Sequence, residues 1–347
     1  MLRRATISTT IMITMILLML MLIINPGSST AFVEQNNEPV RVVVSIEMLK
    51  TIVSPLLRGI GEVYSILPGE AEPHSFTLTP SAINYASNSD LLIVTGHMAW
   101  EEKLIEEVAR IKGASADSIS INLLRLNNIK ILSLNGEKNY HGFWLLPENA
   151  LTIAREIREK ILRIKPALSP KITENYKEFE RKVHELEGFL SFLSGKYGIC
   201  GRNAVIGFYA EQYVAEAIGL KVSLALIGEE GVVRPEALRK IHEKPSDCAC
   251  IIVSEVAVLM GDVRKTLEEI SERSGCPIAY ILTVSSYGLD EYDAVMYYNV
   301  GQICSALLAR RPPASVTGLN IYLIVIIALL IAVALEALFL FRGRLAF

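Results

Sequence analysis

A chain of 347 residues, 51% apolar and 20% charged, is long enough for two domains that each bury a core. Its 34 lysines and arginines are spread among 37 acids for a formal net charge of -3, so there is no extended basic face and a nucleic-acid partner is excluded. The apolar excess lies mainly at the two ends.

At the N-terminus, Leu2-Arg3-Arg4, an apolar run over 11–24 and the small residues up to Ala31 follow the order of an export signal. Residues 1–31 are therefore predicted to be a signal peptide cleaved near Ala31; an uncleaved anchor is the other reading of so long a run. Short apolar runs then alternate with helical patterns, twice over. In the first set, residues 40–166, strands are predicted at 40–46, 62–67, 91–95 and 130–134. Helices are predicted at 48–58, from Thr79-Pro80-Ser81 onward, where Thr79 caps and Pro80 opens the helix, and at 99–111.

Two helices follow in succession, 148–164 and 170–196. The second is about 40 Å long, and Tyr176, Phe179, Val183, Leu186, Leu190 and Leu193 form one apolar stripe along it. It reads as a linking spine, residues 167–198, with His184 on its solvated side. The second set, residues 199–310, predicts strands at 203–208, 220–226, 249–254 and 277–283, and helices at 210–218, 235–243, 258–273 and 293–308. The expected fold is α/β: two parallel-sheet lobes bridged by a long spine helix, with a ligand cleft between them.

The run 319–341 holds Glu336 as its only charge and is long enough to cross a bilayer, so one C-terminal transmembrane helix is expected. Arg342 and Arg344 then put the C-terminus in the cytoplasm and the lobes outside a single-pass cell membrane, with Glu336 snorkelling to the inner interface. All five cysteines fall in the second half. An exported chain permits a disulfide whose connectivity sequence does not give. Cys248-Ala249-Cys250 is too tight for a zinc knuckle, and Cys250 and Cys276 read as small core residues.

Chemistry concentrates in loops that follow strands. In LPGEAEPHSFTLTPS, residues 67–81, His74 stands behind Pro73, with Glu70 and Glu72 at two-residue spacing, one side of an extended loop. Pro73 restricts its neighbours and lowers the entropy lost on fixing a ligand. A histidine among carboxylates suits zinc, manganese or iron better than calcium; a polar loop residue is the plainer alternative. His141, in NYHGFWLLPENA, is either a second imidazole converging on the same ion or a loop residue packed on Trp144. His97, in TGHMAWEEKL, also follows a strand, yet Gly96, Glu101 and Glu102 around it equally suit a capped helix start. No GxxxxGK[ST], no GxGxxG after a strand and no GxSxG elbow is present, so nothing demands an enzyme.

Four stretches, VVVSIEMLKTIVSPLLRG, LPGEAEPHSFTLTPSAINYASNSDLLIVTG, HGFWLLPENALTIAREI and NYKEFERKVHELE, resemble in order the solute-binding proteins of zinc and manganese ABC importers, over about residues 40–308. The resemblance implies two lobes joined by a long helix with the metal between them, and an ABC permease and its ATPase as partners. It makes His74 the first ligand and His141 the second, although Gly142 and Phe143 separate His141 from Trp144 where the family has one residue; a bulge at Gly142 would restore the direction. In GFYAEQYVAEAIGLKV the family's third-ligand position holds Phe208, and in IAYILTVSSYG the aspartate position holds Val284. Glu211 or Glu255 would have to substitute, or Glu72 and water complete the shell. The expected function is a membrane-anchored receptor capturing zinc or manganese for an importer. The alternatives are the same fold holding a non-metal solute, a surface adhesion or scaffold protein, or a metalloenzyme with Glu72 as base.

Overall fold

The computed structural model describes residues 38–309, apart from 68, 70, 72, 229–231, 244–247 and 260–262, together with 326, 327, 329–331 and 333. The N-terminal lobe runs β1 (Val40–Val44), α1 (Lys50–Leu57), β2 (Gly61–Ser65), α2 (Pro80–Ser87), β3 (Leu91–Val94), α3 (Ala99–Lys112), α4 (Ala116–Ile119) and β4 (Ser120–Asn122). A two-residue hairpin, β5 (Ser133–Leu134) with β6 (Glu137–Lys138), leads into α5 (Pro147–Ile164) and α6 (Ser169–Lys196). The C-terminal lobe follows as β7 (Asn203–Ile206), α7 (Glu211–Ala217), β8 (Lys221–Ala225), α8 (Pro235–Glu243), β9 (Cys250–Ser254), α9 (Glu255–Leu259), α10 (Val263–Ser274), β10 (Ile278–Ile281) and α11 (Tyr292–Leu308).

Each lobe is built on a four-stranded parallel sheet, ordered β2-β1-β3-β4 in the first and β10-β9-β7-β8 in the second. Numbered within its own lobe, the second order is 4-3-1-2, the same arrangement read from the other edge. The central strands β3 and β9 are buried at every residue, as helices on both faces of a parallel sheet require. The order reverses between β1 and β3, and between β7 and β9. That switch point, beyond the carboxyl ends of the strands, is where such sheets open a crevice.

The 28 residues of α6 span about 42 Å at 1.5 Å per residue. Ile172, Tyr176, Phe179, Val183, Leu186 and Leu190 form its buried stripe, while Asn175 donates to the Leu56 and Arg58 carbonyls at 2.9 Å and closes the open end of α1. Lys182 and Arg58 both pair with Glu291 at the start of α11, tying the helix to both lobes. His184 is exposed and pairs with Glu187 at 2.8 Å.

Thr79 caps α2 as its position before Pro80 predicts, accepting the Ala82 amide at 3.2 Å. Cys250 and Cys276 lie in the core. Three expectations are corrected. The run 130–134 is not the fourth strand of the first sheet; that place belongs to β4. Ahead of the Ser133–Leu134 pair its backbone bonds go elsewhere than to the sheet: Asn149 takes the Lys130 amide at 2.8 Å and gives to its carbonyl at 2.9 Å, the Tyr213 hydroxyl takes the Leu132 amide at 3.0 Å, and the Leu132 carbonyl accepts the Asn139 amide at 2.8 Å. The helix expected at 258–273 is described as α9, which begins earlier at Glu255, and α10, which runs to Ser274, with 260–262 between them outside the described residues. The transmembrane helix at 319–341 is not upheld either: among the described residues no helix is long and apolar enough to cross a membrane.

Most of that run lies outside the described residues, and its apolar length was the whole basis of the expectation. Where the described helices do reach spanning length, in α5 and α6, they carry a charged face. The single-pass membrane localisation, the cytoplasmic C-terminus and attachment to a membrane through this helix all depended on it and fall with it. The signal peptide expected over 1–31 also lies outside the described residues.

Candidate metal site

Three loops of the N-terminal lobe meet at the cleft. His74 sits between β2 and α2, His97 between β3 and α3, and His141 between β6 and α5. One ring nitrogen from each lies within 4.8 Å of the others, and the ring centroids stand 5.5, 5.2 and 5.0 Å apart for 74–97, 74–141 and 97–141. Imidazoles so close repel when protonated and share an ion when neutral. His97 is the member that its own sequence context leaves open; folding alone shows that it joins the other two.

Each loop is held by hydrogen bonds of its own. The Trp100 indole donates to the Pro73 carbonyl at 2.9 Å and fixes the backbone just before His74. Asn139 Oδ1 accepts the His141 amide at 2.9 Å. Gly142 has φ +83°, the left-handed region that glycine enters freely, and starts a tight turn over Phe143–Leu145. This turn, and not a strand bulge, absorbs the extra residue between His141 and Trp144.

The Glu101 carboxylate, buried to 1% exposure, reaches back over the start of α3 to accept the Thr95 and Gly96 amides at 2.8 and 2.7 Å and the Thr95 hydroxyl at 2.8 Å. Thr95 Oγ1 in turn stands 2.9 Å from His97 Nδ1. Burial first, then the neighbouring His141 and His74, hold His97 well below the usual histidine value, so its ring is neutral at pH 7, the form a metal takes.

The C-terminal lobe faces the histidines with carbon. The Phe208 ring lies 5.2 Å from the His141 ring and Tyr209 stacks on it at 5.6 Å and 30°. Phe208, Ala210, Val256 and Val284 share with the three histidines a cavity of about 20 Å³, room for one water-sized body. On the other side, His74 and His97 border an open hollow of about 730 Å³ that Lys103, Glu106 and Glu107 line.

Neither candidate carboxylate of this lobe joins the cluster. Glu211 is fully buried and its oxygens accept the Phe208 amide at 2.9 Å, the Ser254 amide at 2.8 Å and the Ser254 hydroxyl at 2.6 Å. Burial pushes its carboxyl up to about 8 against these donors. Glu255 holds the amides of Thr283, Val284 and Ser285 at 2.8, 2.5 and 2.8 Å, and burial raises it too. Glu70 and Glu72 lie outside the described residues. Direct bonds close the cleft: Met48 N to the Val284 carbonyl at 2.8 Å, Ser285 to Glu47 at 2.9 Å, Trp144 to the Thr283 carbonyl at 3.2 Å, and Asn139 to Gln212 at 2.8 Å.

Two matched parallel-sheet lobes on one long helix, with a polar cluster in the crevice between them, define a solute-binding protein. The family described as zinc-uptake complex component A, periplasmic, matches residues 42–306, and the chain belongs to it. The family is one of transport binding proteins, so the chain is not an enzyme, and the resemblance read from its motifs holds. Among relatives, the iron ABC transporter substrate-binding lipoprotein MtsA of Streptococcus pyogenes serotype M1 is 23% identical over 298 residues, covering 81% of this chain and 93% of that protein. The manganese ABC transporter substrate-binding lipoprotein PsaA of Streptococcus pneumoniae serotype 4 is 23% identical over 288 residues, covering 78% and 90%. Among solved structures, the periplasmic zinc binding protein TroA of Treponema pallidum shares the fold with a TM-score of 0.62 at 16% identity, covering 78% of this chain and 99% of that one.

Proposed function

We propose that this chain captures one divalent transition metal, zinc or manganese, with His74 and His141 as ligands, and passes it to an ABC permease driven by its ATPase. The observation that carries the reading is the convergence of imidazoles from separate loops within 4.8 Å of one another, a spacing that suits coordination of one ion. The relatives support the class of cargo: one is named for iron and one for manganese, and the family for zinc. Nitrogen donors favour zinc over manganese, which prefers oxygen. The open hollow beside His74 and His97 supplies an approach from solvent.

A non-metal solute would suit the apolar wall of Phe208 and Val284, but the space among the three histidines and that wall is about 20 Å³, the size of a single ion or water, which favours the metal. The test is titration of the chelator-stripped full chain with zinc and with manganese, followed by calorimetry and thermal unfolding. One equivalent of zinc binds, and at a hundredfold excess over Kd it stabilises the fold by about 2.7 kcal/mol; the His74→Ala, His141→Ala double variant shows neither effect. A wild-type chain with no heat of binding and no rise in Tm with either metal refutes the reading.

A further inference from the structure

The chemistry around Thr95 settles which nitrogen His97 can offer. A hydroxyl has one proton to give, and a carboxylate accepts only. Glu101 collects the Thr95 and Gly96 amides and lies 2.9 and 2.8 Å from Thr95 Oγ1 through its two oxygens, so the threonine proton goes to the carboxylate. Thr95 Oγ1 is then left as an acceptor 2.9 Å from His97 Nδ1. The ring proton sits on Nδ1, and Nε2 keeps its lone pair.

Resting on the metal-capture reading above, we infer that His97 Nε2 is a third metal ligand, that Thr95 and Glu101 are positioning residues that fix its tautomer and aim, and that the N-terminal lobe alone therefore holds the ion. A carboxylate one bond away from a ligand imidazole raises its basicity and locks its orientation. Here the carboxylate acts through a hydroxyl, and it brings negative charge near the imidazole cluster. The arrangement answers what the opposite lobe lacks: Phe208 and Val284 offer no donor atom, and Glu211 and Glu255 are committed to backbone amides. His97 also lies over Trp144, 6.1 Å between centroids at 22°, so a purely packing role is the competing account.

The test compares wild type, His97→Ala, Thr95→Val and Thr95→Ser as full chains loaded with zinc. X-ray absorption counts three imidazoles on the ion in wild type and two in His97→Ala. Thr95→Val, nearly the same shape without the hydroxyl, loses about 10- to 100-fold in zinc affinity, and Thr95→Ser, which keeps the hydroxyl, stays close to wild type. Should Thr95→Val fail to fold, the imidazole count decides alone. Two imidazoles in both wild type and His97→Ala overturn the ligand, and equal losses in the valine and serine variants overturn the positioning role; either result leaves capture by His74 and His141 standing. A wild-type chain that takes up no zinc overturns both readings.

Discussion

Glu211→Gln gives a sharp reading of the C-terminal lobe. Because burial raises this carboxyl in the fold, the folded chain keeps a proton that the unfolded chain releases between 4.5 and about 8. The stability it contributes is full below 4.5 and is lost as pH rises towards about 8. At about 1.4 kcal/mol per pH unit, the loss between pH 5 and 8 is about 4 kcal/mol. Glutamine cannot titrate, and its amide nitrogen cannot accept the Phe208 amide that Glu211 Oε2 now takes, which costs about 1–3 kcal/mol at every pH. The variant is thus less stable than wild type at pH 5 and more stable at pH 8. Urea unfolding of both chains at pH 5, 6, 7 and 8 reads the difference, in which Glu255, His97 and every other shared group cancel. Two stability lines that run parallel across this range would show Glu211 ionised in the fold, its three donors outweighing burial, and would refute the argument.

Two further substitutions probe how the histidine loops are held. Trp100→Phe removes the donor to the Pro73 carbonyl and trims a buried ring, so Tm falls with the loss of a bond worth about 1 kcal/mol and zinc affinity drops by up to about fivefold as the His74 loop loosens; unchanged affinity by calorimetry counts against this bond aiming His74. In Gly142→Ala the new methyl would sit 2.7 Å from the Ala210 carbonyl oxygen at a φ of +83°. Left-handed strain of about 1–2 kcal/mol adds to a contact with rigid backbone, so both Tm and zinc affinity fall; a variant with wild-type values of both would show that the turn at Gly142 does not set the place of His141.

Periodicity carried most of the fold because parallel strands buried on both faces read as plain apolar runs, as 91–94 and 250–254 do. It failed at 130–134, where Ile131 and Leu132 look like a strand but Asn149 and Tyr213, distant in sequence, supply the backbone partners. The true edge strand, Ser120–Asn122, is three residues long with one buried side chain, too little for an alternation to register. At the site, Pro73-His74 and His141 stand out through their motifs. His97 does not, because Glu101 does cap its helix as the local pattern suggests, and the same carboxylate holds the threonine beside the ring. Both roles were in one short stretch, and local sequence shows only the first. Phe208 and Val284 declare from sequence that donors are missing, but not what faces them.

Glu101, Glu211 and Glu255 perform one task at three points of the cleft rim: each folds back from the start of a helix and gathers the amides of a preceding or neighbouring loop. The walls are therefore in place before any cargo arrives. Binding then spends little on ordering the chain, and the time an ion needs to settle is governed by the shedding of its own hydration water and not by the folding of loops around it. The same stiffness has a cost at the other end of the cycle. On the capture reading proposed above, walls held by internal carboxylates would keep their shape as the ion leaves, and unloading would come from a push that separates the donors or from a competing ligand that takes their place.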